Sequence, residues 1–88
     1  GQAWELTHEA GSEGPLDERT VRLVKLGIAM AAMREGAVHS GVRKALDSGA
    51  TRDEILQTVA LLAGTIGFSS AVAVYTWVQD VFGEEQGG

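Results

Sequence analysis

Apolar positions recur along this chain at the three- and four-residue spacing of helices, and no stretch alternates with the period of a strand. Gln2 to Ala10 predicts a short helix with Trp4 and His8 one turn apart, broken by Gly11-Ser12-Glu13-Gly14-Pro15. Asp17 then predicts an N-cap, with Glu18 an acid in the first turn. Val21, Val24, Ile28 and Ala31 repeat on one face of that helix, against Glu18, Arg22 and Lys25 on the other. Ala29 and Ala32 extend the polar face with small residues, which predicts close approach by a second helix. A further helix is expected from about Arg34 to Ser48, with Val38, Val42, Ala45 and Leu46 inward and Gly49 as its left-handed terminator. Thr51-Arg52-Asp53-Glu54 is a capping box, and it opens a helix with Ile55, Val59, Leu62 and Ile66 on one face. Beyond Gly64 and Gly67, Ser69 or Ser70 is expected to cap a last helix carrying Val72, Tyr75, Val78 and Phe82. The chain thus divides into a short helix and linker (1–15), a helical domain (16–83) and an acidic tail (84–88) expected to fray.

Charge changes this picture in one place. Ile55 to Gln79 contains no charged residue, long enough to cross a bilayer. Gln57, Thr58, Thr65, Ser69 and Ser70, with Gly64 and Gly67, suit a hydrocarbon centre poorly, so no membrane span is expected. The run reads instead as an antiparallel C-terminal hairpin hidden on most sides. Eighty-eight residues scarcely surround such a hairpin, so copies of the chain are expected to cover it. The fold class is therefore all-α, a helical bundle subunit of a homo-oligomer.

Composition mostly excludes. Seven Lys and Arg against twelve Asp and Glu give a net charge of −5, which makes nucleic acid a poor partner. The absence of cysteine removes disulfides, thiolate metal sites and a Cys nucleophile together. Gly1 to Ala10 lacks the apolar core of a signal peptide, so a cytoplasmic setting is expected. Two histidines about thirty residues apart do not make a three- or four-ligand metal site in one subunit, which leaves three copies of His39 about a threefold axis. No phosphate-gripping glycine loop is present, and no cofactor is expected.

The element order resembles the carboxymuconolactone decarboxylase and alkylhydroperoxidase D-like superfamily over residues 16–82. Leu16-Asp17-Glu18-Arg19-Thr20 and the Arg43-Lys44-Ala45-Leu46 helix end carry the likeness, with Gly49-Ala50-Thr51-Arg52-Asp53-Glu54-Ile55 the most specific stretch. Gly67-Phe68-Ser69-Ser70-Ala71 stands where the family has Gly-x-Pro-x-Ala. The resemblance implies an all-helical subunit of a trimer or of a hexamer. It also implies what is missing. The peroxidase branch's relay Glu falls on Arg22, its two Cys on Arg34 and Ala37, and its His on Gly41, so thiol-dependent peroxidase chemistry is excluded. The decarboxylase branch keeps Arg at Arg34 but expects an acid at Ala37 and His at Gly41.

What remains for catalysis stands where relatives keep their reactive groups. Glu35 and His39, four residues apart, share a helix face, and a carboxylate beside imidazole orients a general base. Arg34 and Arg43 are candidates for holding a substrate carboxylate, and Tyr75 offers a phenol to a ligand. Two functions compete: cofactor-free acid–base chemistry of lyase or isomerase type on a small anionic carbonyl compound, or a non-catalytic scaffold or binding subunit. The same residues have bland readings, as a solvated Glu–His pair, surface arginines (Arg22 paired with Glu18) and an interface tyrosine. Such a site is expected to face the preceding helix and a neighbouring subunit.

Overall fold

The computed structural model describes residues 14–87, in which four α-helices and no strand form. They are α1 (Glu18–Ala31), α2 (Glu35–Asp47), α3 (Arg52–Thr65) and α4 (Phe68–Gly87). The helix expected over Gln2–Ala10, with Trp4 and His8, lies outside the described residues.

Two helix starts follow from polar caps. The Asp17 carboxylate accepts from the Thr20 backbone N–H at 2.8 Å. At α3, Thr51 and Glu54 bond reciprocally to each other's backbone N–H, at 3.1 and 2.9 Å, which completes the capping box. Two helix ends share one terminator. After α1, Met33 N–H donates to the Met30 carbonyl and Arg34 N–H to that of Ala29. After α2, Gly49 and Ala50 repeat this pattern on Leu46 and Ala45. Both are Schellman ends needing a left-handed residue, supplied by Met33 (φ 55°) and Gly49 (φ 99°).

The turn at Met33 folds α2 back along α1. Their approach is close because Gly41 has no side chain: a Cβ there would stand 3.0 Å from Leu26 Cδ1. α3 returns against α1, and α4 packs on both α2 and α3. Leu26, Met30, Val38, Val42, Ile55, Val74, Val78 and Val81 form the fully buried centre. α3 and α4 make up the expected C-terminal hairpin, interrupted at Ile66-Gly67, and no helix among the described residues is long and apolar enough to cross a membrane.

Several expectations are corrected. The buried stripe of α1 is Leu26 and Met30 with Leu23, not Val21, Val24, Ile28 and Ala31. Both stripes have helical spacing, and Ile28 is 64% exposed. Ile66, Val72 and Tyr75 likewise face outward. α4 starts at Phe68, directly after Gly67 (φ 141°), ahead of the expected serine cap. It runs on to Gly87, beyond the Phe82 where its apolar pattern ends.

Candidate functional site

Helical spacing puts Glu35, His39 and Arg43 in one row along α2, and that row meets Asp80 and Glu84 on α4. His39 Nε2 lies 3.1 Å from Asp80 Oδ2. One turn on, the Arg43 guanidinium grips Glu84 with two donors, Nη2 at 2.9 Å from Oε1 and Nε at 3.2 Å from Oε2. Glu84 holds the Arg43 guanidinium still further into its charged form. The Glu35 carboxylate completes the top of the row, with one atom from each of Glu35, His39 and Asp80 lying within 4.8 Å of the others.

These contacts rearrange the expected roles. His39 is held by Asp80, on the last helix, whereas Glu35 makes no hydrogen bond to it. The row therefore faces α4 rather than α1. Arg43 is committed to Glu84. Arg34 stands exposed at the α2 N-cap with no side-chain cap bond. Tyr75 is five residues before Asp80, about 140° round the helix, and lines a groove with Leu56, Ala60 and Phe68 instead. Arg22 forms no ion pair with Glu18; the ion pairs among the described residues are Arg19–Glu54, His39–Asp80 and Arg43–Glu84. Sequence reasoning missed Asp80 and Glu84. Their signal was their own four-residue spacing, which matches that of His39 and Arg43.

Chemically, a carboxylate that only accepts makes Nε2 the protonated nitrogen of a neutral His39 ring, which leaves the Nδ1 lone pair as a base. The same trio could hold a divalent transition metal, since imidazole with two carboxylates is a suitable donor set. Counting histidines overlooked that option. However, Asp80 is 52% exposed and Glu35 is exposed too, and among the described residues neither carboxylate has a hydrogen-bonding partner outside the trio to orient it as a metal ligand.

A second feature lies on another face of α2. Ala37, Ser40, Gly41 and Lys44 face Arg22, Lys25 and Ala29 of α1 across a groove of about 200 Å³. Arg22, Ala37 and Gly41, where the resemblance expects a relay Glu, a Cys or acid, and a His, are thus brought together here. Gly41 could not become His without displacing Leu26.

The family model described as the carboxymuconolactone decarboxylase family matches residues 1–80. No curated protein and no solved structure matches the chain. With four helices in the expected order and 80 of 88 residues matched, the chain belongs to the carboxymuconolactone decarboxylase family.

Proposed function

We propose that this chain is the subunit of a homo-oligomer that performs cofactor-free proton transfer, of lyase or isomerase type, on a small anionic carbonyl compound. His39 is the general base and Asp80 fixes its tautomer. Glu35 lies beside the ring, and Arg34, at the start of the same helix, supplies positive charge for a carboxylate or enolate oxygen. The observation that carries this reading is the 3.1 Å bond between His39 and Asp80, which leaves Nδ1 free to take a proton. Arg43, bound to Glu84, and Tyr75, on another face, have no part in it. Membership of the family brings no thiol peroxidase activity, because the chain has no cysteine.

The test is deuterium exchange from D2O into small 2-oxo acids, β-keto acids and lactone carboxylates, followed by NMR. Exchange above the buffer rate that His39→Ala abolishes supports the reading. Equal rates for both proteins overturn it. The second reading, a non-catalytic oligomeric or small-molecule-binding subunit, draws on the openness of the dyad, with Asp80 52% exposed. It is favoured if the whole panel is inert while an anion co-purifies with the protein.

A further inference from the structure

The described residues contain seven Lys and Arg in a chain of net charge −5. Arg19 is paired with Glu54 and Arg43 with Glu84, and Arg52 lies over the Phe82 ring at 5.0 Å. Among the described residues, Arg22, Lys25, Arg34 and Lys44 have no such partner. Three of these four, Arg22, Lys25 and Lys44, line one groove between α1 and α2. They come from both walls. Arg22, Lys25 and Ala29 follow the i, i+3, i+7 row of one helix, and Ala37, Ser40, Gly41 and Lys44 the matching row of the other. Small residues on both walls leave the concavity, and Ser40 adds a hydroxyl that can donate.

Three cations on facing walls repel one another, so the arrangement favours a counter-ion between them. Glu18 and Asp47 approach only at the end of the groove, beside Arg22 and Lys44. We infer that the α1–α2 groove is a binding site for a small oxyanion, a carboxylate or phosphate, gripped by Arg22, Lys25 and Lys44 with Ser40. The volume of about 200 Å³ is below the roughly 300 Å³ at which sites for drug-sized ligands begin, so the ligand has few heavy atoms. The site is independent of the His39–Asp80 dyad, which faces α4. It also departs from the family's pattern, because Arg22 stands where the resemblance expects an acid.

The experiment titrates the full chain with succinate and, separately, with inorganic phosphate, read by amide NMR and calorimetry at low salt. Saturable shifts at Ser40 and Gly41 are expected with at least one of them, and which one saturates at lower concentration identifies the oxyanion class. The triple variant Arg22→Gln, Lys25→Gln, Lys44→Gln should weaken binding by at least about tenfold, and Lys44→Gln alone by a smaller factor, while His39→Ala binds normally. Lys25 and Lys44 are exposed, Arg22 is half-buried and none of the three belongs to the core, so these changes leave it intact, and Lys25→Gln alone serves if the triple variant fails to fold. Unchanged affinity in the variants overturns the inference, as does no saturation by either anion at about 10 mM. Dissociation of the assembly by the triple variant also overturns it, since the cations would then serve an interface.

Discussion

His39 and Asp80, 41 residues apart in the chain, meet across the α2–α4 seam through one hydrogen bond of 3.1 Å. The ring is 23% exposed and the carboxylate 52%, so this contact is open to water and contributes at most about 1 kcal/mol to stability. Asp80→Asn should leave the melting temperature nearly unchanged. An amide can bond the imidazole in either tautomer, so the variant should lose the enforced Nε2–H form, visible in the ring ¹⁵N shifts. Any proton-exchange activity should fall by about tenfold or more. A collapse in thermal stability would instead make the dyad a structural clasp.

Acid should weaken the fold through its helix caps. The backbone N–H of Thr51, and after it the Arg19 charge, hold the Glu54 carboxyl below the usual carboxylate range. Thr20 does the same to Asp17 through its hydroxyl and its backbone N–H. A lowered folded pKa means that the unfolded chain takes up protons first. The stabilisation is complete above about pH 5 and is lost as pH falls through the unfolded values near 4 and then the lower folded ones. Urea midpoints should therefore drop from pH 7 to pH 3. In Glu54→Gln, which keeps a capping-box side chain but no charge, the drop should be smaller. An equal drop in the variant would remove the capping box from the explanation.

The paired helix ends make opposite forecasts for glycine. Gly49 has φ 99°, so Gly49→Ala should destabilise the protein by about 1 kcal/mol. Met33 holds the equivalent place with φ 55° and a side-chain-bearing residue. Met33→Gly should be neutral or stabilising by up to about 1 kcal/mol, despite glycine's greater freedom in the unfolded chain. Chemical denaturation of the two variants checks both signs, and a large loss in Met33→Gly would show that its side chain matters more than its backbone.

Much of this fold was legible because local rules and packing agree. The capping box at Thr51–Glu54 and the inward faces Val38–Val42–Ala45 and Ile55–Val59–Leu62 stand where the spacing puts them. α1 was misread because it is apolar on two sides. Periodicity alone cannot choose between Leu23–Leu26–Met30 and Val24–Ile28–Ala31, and the close contact at Gly41 decides for the first. At the site, Glu35 and His39 were found because they are local in sequence. Asp80 was not, because pairing α2 with α4 is a tertiary fact. The cationic groove was half visible, since Arg22 and Lys25 were placed on one face, but its other wall at Ser40 and Lys44 depends on how α2 folds back.

The stripe that lost that choice bears on assembly. Val24 and Ala31 line an apolar groove of about 490 Å³ with Leu61 and Ile66, between α1 and α3. A second groove, of about 540 Å³, runs between α3 and α4 beside Leu56, Phe68 and Val72. Leu61 is 63% exposed and Phe68 76% in the isolated chain, an unusual use of large apolar residues on a free surface. Burial of such side chains stabilises by about 1.5–3 kcal/mol each, so several of them along a shared face can hold copies together. Wild-type protein should therefore sediment as a trimer or larger at micromolar concentration, with a melting temperature that rises with concentration. Leu61→Asp and Phe68→Asp each place a charge on one of these faces without touching the buried core. At least one should shift the population to monomer, and that monomer should melt earlier than the assembly. A wild-type chain that sediments as a stable monomer would overturn this reading and leave both grooves to other partners.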